Sequence, residues 1–239
     1  MWGGGDAARQ WMTQEEATEL AKDDPHMPDL IAHRDSKTAV RLWKQYFALD
    51  SYGRPSFSGS QFERFRGGGD KATRDVFTSD DLVAVSLLSV NVPAQSALRI
   101  LGPDADRCSA LLEAIPIGLT LADSPEATIG TESSAAQLWR VLRESSTPKR
   151  GAHDGIGKTT TSKLIARKRP DLIPVWDSVV TGLTGQDSKG SWVWLRSELR
   201  SSDSSLDRWI RETAPDELID ISTIRLMDIL LWMVGSGRS

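Results

Sequence analysis

The stretch Gly155–Lys168 reads GIGKTTTSKLIARK and decides the fold of this chain. Its Gly-Ile-Gly start predicts a tight turn that another chain can approach closely, because glycine has no side chain and accepts a positive φ. A helix from Lys158 to Lys168 is expected directly after the turn, so its unpaired N–H groups and positive dipole end form an anion site. The polar segment Ser145–Asp154 enters the turn as a loop. The sequence therefore predicts a hairpin between two helices that binds backbone phosphate.

The Gly-Lys-Thr within this stretch also ends the Walker A motif of nucleotide-hydrolysing proteins, but the rest of that motif is missing. The motif needs a glycine at the position of Ala152, so that a long loop can wrap the phosphates, and Gly151 lies one position too early. No apolar strand precedes the turn, and no strand ending in aspartate follows it. We therefore exclude a nucleotide-hydrolysing P-loop.

Basic residues are concentrated around the turn in a chain that is acidic overall. The net charge is −4, so a nucleic-acid surface must be local. Seven basic residues and one acid, Asp154, occupy positions 149–169, and Lys163 and Arg167 share one face of the predicted helix. This basic face is typical of a nucleic-acid contact, with DNA as the expected partner and RNA as the alternative. A solvated helix face beside a tight turn is the other interpretation.

Helical signals dominate the rest of the chain. Thr13–Glu16 and Thr78–Asp81 are capping-box patterns that open helices. The second pattern favours a helix over a buried strand in the apolar run that follows it. No internal repeat and no alternation of strands with helices is present. The stretch Ala122–Gly130, with small residues, Pro125 and Gly130, indicates a hinge. We expect an all-α protein of two helical lobes, residues 1–125 and 126–239, with the hairpin in the second lobe.

The composition excludes several classes of protein. The single cysteine, Cys108, rules out an internal disulfide framework, a Cys-x-x-Cys metal site and a four-cysteine iron–sulfur cluster. No metal site is expected. The most apolar stretch, Ile221–Val234, is too short to span a bilayer and carries Arg225 and Asp228. We expect this stretch to be buried in the core or in a homodimer interface, and we expect no membrane partner, no signal peptide and a cytoplasmic location.

The turn and a later aspartate together resemble the helix–hairpin–helix DNA glycosylase superfamily. In that family a Gly-apolar-Gly turn is followed by a helix, a link and an aspartate that opens the next helix. Here Gly155-Ile156-Gly157 is followed by a predicted helix, a proline-containing link and Asp177, which lies 22 positions after the first glycine. The resemblance covers about residues 150–183. The whole chain also resembles an uncharacterised family of actinobacterial proteins, which assigns no activity.

The resemblance implies a role for each matching residue. Gly155 and Gly157 would present backbone amides to a DNA phosphate, with a bound monovalent cation as an optional feature and no other cofactor. Asp177 would be the catalytic carboxylate, which stabilises the cationic sugar and activates water while the N-glycosidic bond breaks. Trp176 is the candidate for stacking on a flipped base. Further nucleic-acid contacts are expected from Lys158, Thr159, Lys163 and Arg167.

One position departs from the family pattern. Lyase-active members carry a lysine two residues after the second glycine, where this chain has Thr159, and Lys158 would point about 100° away on the helix. The resemblance therefore implies a monofunctional DNA glycosylase that uses water. Asp177 also suits an ordinary helix N-cap. A non-catalytic DNA- or RNA-binding module and a structural helical protein without nucleic-acid activity are the alternatives.

Overall fold

A computed structural model describes residues 25–66, 68, 70–144, 156–187 and 190–238. Within these ranges the protein is built from helices without β-strands, and one isolated bridge pairs Leu49 with Pro55. The predicted all-α class is therefore confirmed. Short 3₁₀ segments cover Ser58–Gln61, Val85–Leu88 and Asp216–Leu218. The α-helices of the described residues are α1 Asp29–Ala32, α2 Ser36–Tyr46, α3 Ser79–Ala84, α4 Ala94–Ile100, α5 Ala105–Glu113, α6 Glu126–Ile129, α7 Ser134–Arg143, α8 Lys158–Lys168, α9 Ser178–Thr184, α10 Ser191–Thr213 and α11 Thr223–Gly235.

The helix starts follow the capping signals of the sequence. The Thr78 hydroxyl accepts a hydrogen bond from the backbone N–H of Asp81, and the Asp81 carboxylate accepts one from the backbone N–H of Thr78. The predicted capping box therefore opens α3. Asp177 caps α9 with hydrogen bonds from two backbone N–H groups of its first turn. The helix predicted for Lys158–Lys168 is α8, with the same bounds. The helix predicted after Thr13 lies outside the described residues.

The apolar core runs through the whole described part of the chain. α11 packs against both α2 and α9, and α8 packs against α7 and the 3₁₀ segment Val85–Leu88. Trp43 of α2 is buried, and its indole N–H donates to the Leu226 carbonyl of α11 at 2.9 Å. Such contacts join segments on both sides of position 125, and the core does not separate there. The division into two lobes stays a prediction.

Helix α8 is buried along most of its length although its sequence is polar. Every residue from Thr160 to Lys168 is buried, Thr159 is half-buried and Lys158 is exposed. The expected exposed basic face with Lys163 and Arg167 is therefore wrong. These cations lie inside the protein because carbonyl oxygens and carboxylates from distant segments accept their N–H groups.

Helix α11 contains the most apolar stretch, and most of its residues are buried. The expected burial of this stretch in the core is thereby confirmed, whereas a homodimer stays a prediction. Among the residues that the structure describes, no helix combines the length and the apolarity that a membrane span requires.

Candidate functional site

The start of α8 is the described part of the hairpin. Gly157 is the N-cap of α8, is exposed and provides no side-chain capping bond. Its φ of −83° is open to any residue, and a Cβ built there meets nothing within 4 Å. Lys158 is exposed, Ile156 is buried, and Gly155 lies outside the described residues. Within the described chain, nothing therefore requires glycine at position 157.

Arg167 is a structural cation and not a surface cation. Its guanidinium donates to the carbonyl oxygens of Phe62, Glu63 and Phe65, which follow the 3₁₀ segment Ser58–Gln61. It also pairs with the buried carboxylate of Asp81 at 3.3 Å. Only 6% of Arg167 is exposed. The predicted contact between Arg167 and a phosphate is therefore blocked in this structure.

Lys168 and Arg169, the next two basic residues, also bind acceptors inside the protein. Lys168 pairs with Asp81 at 2.5 Å and also donates to a main-chain carbonyl oxygen. Arg169 pairs with Asp75 and donates to the carbonyl oxygen of Ile115 at 2.9 Å. Burial lowers the pKa of both cations, and the carboxylates oppose this shift. Together with Arg167, these cations therefore hold distant loops onto the end of α8.

Trp176 is part of the core, so the predicted stacking on a base is blocked in this structure. It is 2% exposed, and its ring meets the ring of Trp194 edge-on at 6.0 Å between centroids. Its indole N–H donates to the carbonyl oxygen of Gln186 at 3.3 Å. The aromatic residue before the aspartate therefore packs the start of α9 against α10.

Asp177 divides its two carboxylate oxygens between a helix cap and a buried amine. Oδ1 accepts hydrogen bonds from the backbone N–H groups of Val179 and Val180 at 3.0 and 3.1 Å. Oδ2 lies 3.7 Å from Nζ of Lys163, which donates to the carbonyl oxygen of Leu88 at 2.8 Å. The side chain of Asp177 is 16% exposed and that of Lys163 is 4% exposed. The structure therefore brings Asp177 and Lys163 together as an ion pair, whereas the sequence predicts a phosphate contact for Lys163.

Asp177 and Lys163 line a cleft of about 360 Å³. Aromatic rings form another part of its lining. Phe57 stacks on Tyr46 with ring centroids 5.3 Å apart and planes at 8°, and Trp232 meets Phe57 edge-on at 5.8 Å. The volume falls in the range of small-molecule sites. The aromatic surface expected from Trp176 is therefore supplied by other residues.

A buried ion network reaches the same cleft. Arg225 pairs with Glu63 at 2.6 Å and with Asp228. It also donates to the Tyr46 hydroxyl at 3.0 Å. Burial raises the pKa of Asp228 to about 7, although Arg225 acts in the opposite direction. Burial acts to lower the pKa of Arg225, but the surrounding acidic groups outweigh it and raise that pKa. Burial also raises the pKa of Tyr46 and lowers that of Lys163.

Sequence reasoning assigns Lys163 to a phosphate and misses its place beside Asp177. Helix spacing contains the signal, because Thr159 and Lys163 are four positions apart and share one face of α8. The lysine therefore comes one turn after the position where the resemblance places it. From the sequence, Arg225 and Asp228 indicate only that the apolar stretch does not span a membrane. Two charges three positions apart in an apolar helix share a face, and buried charges need partners.

Cys108 is buried, and burial raises the pKa of its thiol to about 11, which keeps the thiol protonated and poorly reactive. No group of three or more histidine, cysteine or acidic side chains that could hold a metal ion occurs in the described part of the chain.

Fold and site together define an all-α protein with a carboxylate–lysine pair in an aromatic-lined cleft. Residues 39–235 match the family of unknown function DUF6308, and the chain belongs to this family. No curated protein and no solved structure matches the chain.

Proposed function

We propose that this protein binds nucleic acid through the hairpin at the start of α8 and cleaves an N-glycosidic bond in the cleft that holds Asp177. The observation that carries the proposal is the position of the Asp177 carboxylate. One oxygen is fixed by the cap of α9, the other lies 3.7 Å from Lys163 Nζ, and the residue lines a cleft together with aromatic rings. A fixed and mostly buried carboxylate stabilises the cationic charge that develops on the sugar, and it orients the attacking water.

The size and lining of the cleft support a nucleobase as its occupant. A base must leave the stack before an enzyme can act on its bond to the sugar, and aromatic side chains then replace the lost stacking. The rings of Phe57, Tyr46 and Trp232 supply aromatic surface in the lining. The resemblance of Gly155-Ile156-Gly157 and Asp177 to helix–hairpin–helix DNA glycosylases points to the same reaction.

The test of catalysis compares two helix-capping aspartates. Asp177→Asn should abolish the release of free base from duplexes with damaged bases, because an amide cannot stabilise the cationic sugar. Asp35→Asn is the matched control, since Asp35 caps α2 and lies on the exposed surface. We expect it to keep the wild-type rate. If the wild type releases no base from a broad panel of lesions, or if Asp177→Asn keeps full activity, the glycosylase proposal is wrong.

The phosphate contact is supported by a glycine that the fold does not need. A Cβ at Gly157 meets nothing within 4 Å, so Gly157→Ala should leave the free energy of unfolding within about 0.5–1 kcal/mol of the wild type. The same methyl group would stand where a phosphate approaches the α8 amides, and duplex affinity should fall. Gly182→Ala, at a glycine that also meets nothing, is the control. Equal duplex affinity of wild type and Gly157→Ala in fluorescence anisotropy would contradict this contact.

A second candidate activity is favoured by the 3.7 Å distance between Lys163 Nζ and Asp177 Oδ2. A lysine amine in this cleft suits attack on the aldehyde carbon of an abasic sugar, with loss of water and formation of an imine. Cyanoborohydride should then trap a covalent adduct between the wild type and abasic-site DNA. Lys44→Met, at an exposed lysine of α2, should still form it and Lys163→Met should not, with circular dichroism confirming that both variants are folded. If folded Lys163→Met gives the wild-type yield, Lys163 is not the nucleophile.

The alternatives from the sequence have distinct outcomes in these tests. A non-catalytic binding module would bind duplex in a salt-dependent way and release no base. A structural helical protein would show neither activity.

A further inference from the structure

A second cavity lies against the start of α8, on a different face of that helix from the Asp177 cleft. Its volume is about 530 Å³, and among the described residues it shares no lining residue with the cleft. Lys158 lines the second cavity and Lys163 lines the cleft. Five positions along an α-helix turn the side-chain direction by a net angle of about 140°. The two cavities are therefore separate.

Two exposed cations line this cavity. Arg140 comes from α7 and Lys158 from the first turn of α8. Within the part of the chain that the structure describes, neither forms an ion pair or a side-chain hydrogen bond. They differ in this from Lys163 and Arg167, whose charged groups are taken up by the protein itself. The first N–H groups of α8 add to the positive potential, because Gly157 offers no side-chain cap. An anion suits this end of the cavity.

Aromatic surface lies beside the two cations. Trp139 and Trp192 line the cavity and meet edge-on with ring centroids 5.7 Å apart. Trp192 is 9% exposed, and Trp139 is half-buried. A planar ligand would complement this wall.

We propose that this cavity binds a nucleoside monophosphate unit, with the phosphate at Arg140 and Lys158 and the base along Trp139 and Trp192. A simple phosphate would leave most of the 530 Å³ and the aromatic wall unused. An uncharged aromatic ligand would leave both cations without a partner. Glu126, the carboxylate among the described lining residues, can accept hydrogen bonds from ribose hydroxyls. The site does not depend on the chemistry proposed for Asp177.

Isothermal titration calorimetry of the full chain with adenosine monophosphate tests the proposal. Adenosine and inorganic phosphate are titrated separately, and each should bind at least about tenfold more weakly than the monophosphate, because each makes only one of the two sets of contacts. Reversal of both charges, Arg140→Glu with Lys158→Glu, should weaken binding of the monophosphate at least about tenfold. Trp139→Leu removes aromatic surface from the wall and should weaken binding severalfold, with circular dichroism confirming that the variant is folded.

The matched control is Arg41→Glu with Lys44→Glu, which makes the same change in net charge at two exposed cations of α2. It should bind adenosine monophosphate within about twofold of the wild type, since isolated surface charges contribute little. If the control weakens binding as much as the reversal at Arg140 and Lys158, the effect is one of overall charge and the proposal fails. It also fails if adenosine monophosphate binds no better than phosphate.

Two further measurements define the source of the ligand and its independence. If adenosine monophosphate displaces a short 5′-phosphorylated oligonucleotide, the cavity also binds the end of a nucleic-acid strand. The ligand that binds more tightly then shows whether the cavity prefers a free nucleotide or a strand end. Asp177→Asn should bind adenosine monophosphate like the wild type. Nucleotide binding without any release of base would therefore overturn the proposed catalysis and leave this cavity standing, whereas release of base without nucleotide binding would do the reverse.

Discussion

Arg167 shows why a basic helix can lie inside a protein. A guanidinium has five N–H donors, and the carbonyl oxygens of Phe62, Glu63 and Phe65 accept from it together with the Asp81 carboxylate. Those carbonyls belong to a turn without regular helix, and the Phe65 oxygen also accepts from the backbone N–H of Gly68. Removal of the cation therefore leaves the carbonyl oxygens of Phe62 and Glu63 without this donor.

Replacement of Arg167 should consequently destabilise the fold. We expect Arg167→Met to lower the free energy of unfolding by about 2–4 kcal/mol, because it leaves the carbonyl oxygens of Phe62 and Glu63 without this donor and removes one of the two cations that pair with buried Asp81. Urea denaturation measures this loss. Arg41→Met, at an exposed arginine, should change the free energy by less than about 0.5 kcal/mol. A loss below about 1 kcal/mol for Arg167→Met would show that the guanidinium is not a structural partner.

Asp228 predicts a pH dependence of stability. Burial raises its pKa from 3.8 to about 7, so the folded state favours the protonated carboxyl. Its stabilising contribution is complete below its ordinary pKa and is lost as the pH rises through about 7. Asp228→Asn cannot titrate, and its melting temperature relative to the wild type should therefore increase between about pH 5 and about pH 8.

Asp35→Asn provides the contrast for that measurement. Hydrogen bonds from Thr38 lower the pKa of this exposed carboxyl, so its contribution is lost only at lower pH. The difference between this variant and the wild type should stay constant over the same interval. A constant difference for Asp228→Asn as well would contradict a raised pKa.

At the scale of single elements, the sequence predicts the helix starts well. Asp177 and the Thr78–Asp81 box mark helix starts through short polar side chains that reach their own backbone, and such contacts are local. The burial of α8 is not local. Its cations find acceptors up to 105 positions away, so the charge pattern of the helix cannot reveal which face is covered. The aromatic lining of the cleft is missed for the same reason, since Phe57 and Trp232 meet only in the folded chain.

The capping box of α3 should contribute measurably to stability. Thr78→Ala removes the hydroxyl that accepts from the Asp81 backbone, and we expect a loss of about 1 kcal/mol in the free energy of unfolding. Thr78→Ser retains the oxygen and should lose much less. Urea denaturation of the two variants distinguishes the cap from simple loss of volume. Equal losses for serine and alanine would show that the hydroxyl contributes nothing.

At the scale of the whole molecule, the shared core predicts cooperative unfolding. Trp43 donates to the Leu226 carbonyl, and Arg167 donates to carbonyls before Gly68, so segments on both sides of position 125 depend on each other. Calorimetry should therefore show one transition, with equal calorimetric and van't Hoff enthalpies. Two resolved transitions would instead support the two lobes predicted at that position as independent units.

The contacts of Arg167 also have a consequence for folding kinetics. They join residues that lie 86 to 105 positions apart. Helical proteins usually fold fast because most of their contacts are local, and each long-range contact requires a large loop to close first. The segment around residues 62–81 must find α8 before the buried guanidinium has any acceptor. Formation of the individual helices should therefore precede a slower step in which α8 docks. The refolding rate should resemble that of a mixed α/β domain more than that of a simple helical bundle.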